Sequence, residues 1–592
     1  MTAKRVKLGE LLVDHKRISE QQLADALAEQ KRTGRKLGRV LTDIGAISES
    51  EMHQCLAEYL DIPFVDLAHM SFDPKAVARL PENHARRYRA LVLKADNRGL
   101  LVGMADPTDI FAVDELTRLL GQTPRLALAS ESDLLRTIDV VYRHTDEIVS
   151  FAEELREELG DGDIDLEALH AEEGSPDAPV IKLIQSMFLD AVKVNASDIH
   201  IEPGETYLRI RQRVDGILQE QIINGRRVAQ ALVTRLKLMC GLDIAEKRMP
   251  QDGRFSIKVD KHLVDVRLST MPIQYGESAV LRLLDQTNNL VDFDNLGMPE
   301  EILARLLNLI ERSAGMVLVT GPTGSGKTTT LYSALNHLNT AEKKIITVED
   351  PVEYRLERIN QVQVHAKIGL TFSTVLRTAL RQDPDVVLVG EMRDAETVEI
   401  GLRAAMTGHM VFSTLHTVNA IATIHRLLDM GAEGYLVASA LHGIVAQRLA
   451  RRVCNHCTQS AKLDDKQIAW LGRLLDAQTI GNTDWQEGIG CTYCNMTGYR
   501  GRIGIYELLE MNSEMIDAIR REDLGAFEQH AIADPNYVPI VQAATSYASK
   551  GVTSIAEVIR ISSGIGQGVS FTAEDPLLDD LNQLESLEQA SA

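Results

Sequence analysis

Gly321-Pro322-Thr323-Gly324-Ser325-Gly326-Lys327-Thr328 fits the pattern GxxxxGK[ST]. The apolar run Met316–Thr320 before it reads as a strand, and Thr328–Leu338 after it reads as a helix. Strand, glycine loop and helix in that order let backbone N–H groups turn inward around phosphate oxygens at a helix N-terminus. Lys327 is expected to reach the β- and γ-phosphates of ATP. Thr328 is expected to hold Mg2+, with Thr329 completing the turn.

Two acidic strand ends follow. Ile345–Val348 leads into Glu349-Asp350-Pro351-Val352-Glu353, and Val386–Val389 leads into Gly390-Glu391. Both would lie at the C-terminal edge of a parallel sheet, where open α/β folds bind ligands. One carboxylate can order Mg2+ through water while another polarises the attacking water. Each also reads alone as a helix cap or an ion-pair partner, and the choice of base among Glu349, Glu353 and Glu391 stays open. His409 and His416 flank the apolar strand Met410–Phe412. They read either as satisfied buried histidines or as a pair sensing the γ-phosphate. From Met298 onward helices alternate with short apolar strands, the pattern of an α/β parallel sheet.

Cys454-Asn455-His456-Cys457 and Cys491-Thr492-Tyr493-Cys494 form two CxxC pairs with the stretch Thr458–Gly490 between them. Four thiolates at this spacing can close a tetrahedral Zn2+ site with no position open for catalysis, so the site is expected to be structural. His456 is an alternative ligand. Cys55 and Cys240 have no partner motif and are expected to fill apolar gaps.

The chain has 592 residues, 44% hydrophobic, 25% charged and 4% aromatic, enough apolar material for several cores. Its net charge of −22 is uneven: residues 146–177 carry −12 and residues 571–592 carry −6, so the remainder is near neutral. The acidity thus describes a linker and a tail. No basic stripe and few aromatics argue against a nucleic-acid-dependent P-loop ATPase with a zinc ribbon, and no nucleic acid is expected as partner. No apolar run is long enough to span a membrane, and Met1–Glu10 lacks an apolar signal core. Paired CxxC usage points to a reducing compartment. A cytoplasmic protein, peripheral at a membrane, is expected.

Lys7-Leu8-Gly9-Glu10-Leu11-Leu12 recurs as Lys36-Leu37-Gly38-Arg39-Val40-Leu41. A helix closes each copy, with Leu23 and Leu27 in the first and Met52 and Leu56 in the second at a spacing of four. The expected division is a helical repeat domain (1–60), a small α/β domain (61–145) and an acidic flexible linker (146–177). A strand-rich domain (178–290) precedes an ATPase domain (291–570) with a zinc subdomain at about 451–500, and an acidic tail (571–592) ends the chain.

Taken together, the P-loop, Thr347–Tyr354, Arg381–Asp394 and the histidine stretch resemble the Walker A, Asp box, Walker B and His box of secretion ATPases. That family powers type II secretion and type IV pilus assembly. Ala196-Ser197-Asp198-Ile199-His200-Ile201-Glu202-Pro203 resembles the signature of its preceding domain. The resemblance implies a multidomain α/β protein. A RecA-like P-loop core with a zinc-binding subdomain would follow a PAS-like α/β domain and an α-rich plus α/β N-terminal region. It implies a homo-hexamer that acts on an inner-membrane platform protein. Glu353 would be the catalytic glutamate, within an Asp box of Glu349, Asp350 and Glu353, and Glu391 the Walker B acid. Arg267 and Arg282 would reach the nucleotide from the preceding domain, and Arg377 and Arg381 would lie near the phosphates. Arginines there stabilise charge in phosphoryl transfer. The tetracysteine module is similar to that of assembly and secretion motors rather than retraction motors. The long N-terminal region looks more like the MSHA-type pilus ATPase, which ranks pilus extension before type II secretion.

The N-terminal repeat resembles the tandem motif of MshEN-type cyclic di-GMP-binding domains. The implied ligand residues are Lys7, Leu8, Gly9, Leu23 and Leu27 in copy one, and Arg35, Lys36, Leu37 and Gly38 around copy two. Both copies carry Lys where the motif has Arg, a point charge in place of a bidentate fork. A degenerate copy that serves only for docking is the alternative.

Overall fold

The computed structural model describes residues 9, 12–13, 17–33, 37–67, 70, 72, 74–77, 79–96, 98–141, 145–159, 178–285 and 292–563. They form two compact units. Met1–Thr287, Val453–Ser460 and Glu487–Gly501 make the first. Asn288–Arg452, Ala461–Gln486 and Arg502–Ala592 make the second. The expected zinc subdomain is therefore split. Its cysteine-bearing ends belong to the first unit and its middle to the second.

In the first unit the repeat folds as helices Glu20–Thr33, Leu37–Asp43 and Glu49–Leu60. Both longer helices begin with the same reciprocal cap, Ser19 with Gln22 and Ser48 with Glu51, at equivalent places in the two copies. A Cβ on Gly9 would lie 2.6 Å from Leu23, and one on Gly38 would lie 3.6 Å from Met52, so equivalent positions meet in both copies. Leu12, Ile18, Ala26, Val40, Leu41, Ile47, Met52 and Cys55 form the core. Leu23 packs against it, but Leu27 is 40% exposed and Ala26 takes the buried position expected of it. Lys7, Leu8, Arg35 and Lys36 lie outside the described residues.

A three-stranded sheet follows, β1 (Ala90–Asp96), β2 (Gly99–Met104) and β3 (Arg125–Leu128), in that order, with helices Ile110–Leu120 and Glu131–Val141. The helix Thr145–Leu159 overturns half of the expected linker: Ile148, Ala152 and Leu155 enter the core of the next domain. Their spacing of four and three puts them on one face, which the abundant acids obscured. Residues 160–177 and the tail 571–592 lie outside the described residues.

That next domain is a six-stranded antiparallel sheet built from β4 (Ala196–Pro203), β5 (Tyr207–Val214), β6 (Ile217–Asn224), β7 (Gln251–Val259), β8 (His262–Ile273) and β9 (Gly276–Asp285). The order is β6-β5-β4-β9-β8-β7. One face packs on helices Pro179–Lys193 and Arg226–Met239, and Cys240 packs against this core, as expected of a gap filler. The buried Lys237 ammonium donates to Glu277 at 2.5 Å and to the Glu246 carbonyl at 2.8 Å, so the charge is paired.

The second unit is built on β10 (Gly315–Thr320), β11 (Ile345–Glu349), β12 (Asn360–Gln363), β13 (Val386–Val389), β14 (Met410–Leu415) and β15 (Leu441–Val453). A short ribbon, β16 (Thr458–Ser460) with β17 (Gln486–Gly488), lies in the cysteine excursion, and β18 (Tyr499–Glu510) returns from it. The seven-stranded order is β12-β11-β13-β14-β10-β15-β18, with β10 through β15 pairing in parallel. β10, β11, β13 and β14 are buried along their whole length, which is why they read as unbroken apolar runs.

Candidate active site and metal centre

Register assembles the nucleotide edge. Thr320 pairs with Leu415, Val389 with Ser413, and Val348 with Val389. The residues that follow, Gly321, His416, Glu391 and Glu349-Asp350, therefore emerge side by side at the C-terminal ends of the strands. β14 lies between β10 and β13, so His416 stands between the P-loop and Glu391.

The loop itself depends on glycine. Gly321 has φ +146°, and a Cβ there would lie 2.4 Å from the Gln447 carbonyl. Gly326 has φ +87° at the cap of the helix Lys327–Leu338, and a Cβ would lie 2.8 Å from Gln447 Nε2. Ser325 Oγ is buried with no hydrogen-bond partner among the described residues. Loop, helix start and orphaned hydroxyl together fit a phosphate group.

Lys327 Nζ donates to the carbonyls of Gly321 at 2.8 Å and Pro322 at 3.0 Å, and lies 3.5 Å from His416 Nδ1. Burial lowers its pKa to about 8, with Glu391 opposing and Arg448 adding to the shift. Burial, then Lys327, lowers that of His416. His416 Nε2 lies 3.9 Å from Glu391, which pairs with Arg393. Thr417, next in the chain, bonds through its hydroxyl to Thr320 and, at 2.7 Å, to Thr423, while its N–H donates to Thr320 Oγ1 at 3.1 Å.

The three carboxylate candidates separate. Glu349 is buried and accepts from the Tyr332 hydroxyl, from Thr347 at 2.5 Å and from Gln361 at 3.3 Å. Those donors hold it as a strand-end anchor. Glu353 is half-buried beyond a cis Asp350–Pro351 bond, its N–H 3.4 Å from the Tyr332 hydroxyl. Asp350 is exposed, 3.8 Å from Arg393. Thr328 and Thr329 sit half-buried in the first helical turn.

His409 does not join the site. It precedes Met410, which pairs with Gly315 and Val386 at the opposite edge, roughly 17 Å of strand away. There its Nδ1 lies 3.0 Å from the Ala404 carbonyl at the end of helix Ala395–Met406. Arg377 pairs with Glu396 in the first turn of the helix that follows Glu391, and Arg381 donates to the Arg377 carbonyl at 2.9 Å. In the first unit, Arg282 pairs with Asp198 at 3.1 Å and faces Arg267 across the β8–β9 ladder.

Sequence reasoning missed Gln447 and Arg448. Thr320 pairs with Ala446 on β15, so these two residues flank Gly321. Gln447 accepts from Thr330 at 2.8 Å. The buried Arg448 donates to Val418 O at 2.7 Å and to Gln447 O at 3.2 Å. A Gln-Arg pair ending the apolar run Ile444–Ala446 was the available signal.

The four cysteines are buried, with Sγ···Sγ distances of 3.8 Å (Cys454–Cys491), 3.8 Å (Cys457–Cys494) and 3.7 Å (Cys491–Cys494). Zn–S bonds of about 2.3 Å in a tetrahedron give edges of about 3.8 Å, so the set fits Zn2+, whereas a disulfide would need about 2.05 Å. N–H groups of Cys491 and Gly498 donate to Cys494 Sγ, both at 3.2 Å, which favours thiolate. The His456 ring stacks on Tyr493 and stands outside the ligand group.

Comparison with known proteins accords with this geometry. The family model described as type II/IV secretion system protein matches residues 173–560. The MshEN domain model matches residues 60–148. The repeat-bearing residues 1–60, expected to carry the MshEN-like domain, fall outside that match, which covers the small α/β segment instead. The type IV pilus assembly ATPase PilB of Myxococcus xanthus is 43% identical over 516 residues, spanning 85% of this chain and 89% of that one. Type II secretion system protein E of Pectobacterium carotovorum is 44% identical over 496 residues, spanning 81% and 96%. A solved structure described as MshE with cdg is 40% identical, covers 23% of this chain and 99% of its own, and has a TM-score of 0.23. The chain thus belongs to the type II/IV secretion system protein family, whose pilus and secretion members are ATP-hydrolysing motor ATPases.

Proposed function

We propose that the chain is a hexameric, cytoplasmic motor that hydrolyses ATP to extend a type IV, MSHA-like pilus by acting on an inner-membrane platform protein. The supporting observation is the convergence of Lys327, His416 and Glu391 on one strand edge beside Glu353. In this reading Lys327 holds the β- and γ-phosphates, and Thr328 and Glu391 hold Mg2+. Glu353 orients and deprotonates the attacking water, and His416 contacts the γ-phosphate. Arg267 and Arg282, from a PAS-like domain, offset charge in the transition state, with Arg377 and Arg381 assisting. Zn2+ is held by the four cysteines as a structural ion.

Type II secretion is the second reading, favoured by a relative in that system at 44% identity against 43% for the pilus relative. Deleting the gene and scoring surface pili against exoprotein release decides between them. Loss of exoproteins with pili intact would reverse the ranking.

The N-terminal region is proposed to bind cyclic di-GMP. The MshEN match over residues 60–148 supports this for the small α/β segment, and the exposed Leu27, one turn from the Leu23 that meets Gly9, supports it for the repeat before it. Titration calorimetry on the full chain tests it, and absence of heat at high micromolar ligand would retire it in favour of docking.

A further inference from the structure

His456 and Tyr493 occupy the inner positions of different CxxC pairs, yet their rings stack with centroids 3.6 Å apart at 21°. Against the Tyr493 ring lies the Arg136 guanidinium, 3.6 Å from the centroid. The Tyr493 hydroxyl donates to Asp133 at 2.5 Å, and Asp133 lies 3.8 Å from Arg136. Asp133 and Arg136 share one turn of the helix Glu131–Val141, part of the small α/β domain. The far end of the knuckle is tied as well, because the Gly501 N–H donates to Asp215 in the β5–β6 turn at 3.0 Å. All of these residues belong to the first unit.

The cysteine geometry explains why the contact can form. A closed four-thiolate site turns the intervening residues of each CxxC outward. The stack takes one ring from each pair, so it depends on the two loops being held close, which the backbone bonds Cys454 N–H to Gly498 O and Ile489 N–H to Cys457 O do in part. Cation–π and stacking contacts decline steeply with separation. We propose that the cysteine knuckle is the seat on which the small α/β domain of the same chain docks. Its metal builds that seat by pressing His456 against Tyr493. Its metal half rests on the zinc reading above. The chain enters the knuckle directly from β15, the strand that carries Arg448.

Hydrogen exchange on the full-length chain tests this, because the helix Glu131–Val141 contains no cysteine and its response reports docking. Tyr493→Ala is expected to speed exchange over residues 131–141 by about 30-fold or more, the scale of one exposed cation–π contact plus one charged hydrogen bond. Removing the metal from folded protein with a chelator should do the same. Arg136→Ala should speed exchange over residues 491–498 with the metal retained. Unchanged exchange over 131–141 in Tyr493→Ala overturns the seat, and unchanged exchange there on chelation overturns its metal dependence. If metal analysis finds no zinc in the purified chain, the metal half fails, and Tyr493→Ala alone decides the docking half.

Discussion

The buried Tyr332 hydroxyl donates to the Glu349 carboxylate, joining the P-loop helix to the end of β11. Glu349 accepts three neutral donors there and has no need of a substrate to satisfy it. This removes the first acid of the Glu349–Glu353 stretch from contention as the base. Tyr332→Phe should cost about 1–3 kcal/mol, the penalty of a buried acceptor losing a donor. Denaturant unfolding measures it. A midpoint equal to wild type would show that the hydroxyl carries no stability.

Glu353→Gln should keep nucleotide binding and slow turnover by about 10²–10⁴-fold, the scale of a lost general base. Single-turnover hydrolysis beside equilibrium nucleotide binding checks both halves. Wild-type turnover would move the role to Glu391.

Lys327 gives a pH signature. Its pKa of about 8 in the nucleotide-free fold lies below the usual lysine value of 10.5, so the folded state binds fewer protons than the unfolded chain between these values. The penalty of burying the ammonium is fully present below pH 8 and is relieved as pH rises from 8 towards 10.5. An anionic nucleotide reverses the shift. Binding at pH 8 should therefore take up about half a proton, and affinity should fall as pH rises further. Calorimetry in buffers of differing ionisation enthalpy reads the uptake, which Lys327→Ala should abolish along with hydrolysis.

Cys454→Ser should release one zinc per chain and lower the thermal midpoint while nucleotide affinity stays within about twofold. Closed structural sites contribute folding free energy rather than catalysis. Metal analysis, thermal unfolding and nucleotide titration on the same preparation check this.

Arg448→Ala removes a buried guanidinium that binds the Val418 and Gln447 carbonyls beside Gly321. Loosening that wall should weaken nucleotide affinity by about tenfold, the worth of roughly one charged hydrogen bond. Unaltered affinity would confine Arg448 to packing.

What the sequence disclosed follows from physical range. The P-loop is local: its glycines and the flanking strand and helix all sit between Gly315 and Leu338, so its reading carries into three dimensions. The cysteine pairs are legible because four thiolates at ligand spacing admit few uses. His409 misleads because adjacency to a strand does not say which end faces the nucleotide. Only the register of Met410 with Gly315 tells that. Arg448 is silent for the opposite reason, lying far along the chain from Lys327 and brought to it by a strand crossover. The helix Thr145–Leu159 was hidden by charge, since counting acids averages over a face that carries Ile148, Ala152 and Leu155.

The hydroxyls of Thr320, Thr417 and Thr423 have a kinetic consequence. They fasten the backbone after His416 to the P-loop strand and to helix Ile421–Asp429, which leaves the imidazole as the movable part. Exposed side chains rotate in picoseconds to nanoseconds, whereas loops take nanoseconds to microseconds and domains microseconds to milliseconds. In the proposed reading, where His416 contacts the γ-phosphate, its response to a departing phosphate would be effectively instantaneous on the scale of a working stroke. The clock of the motor runs on slower parts of the molecule.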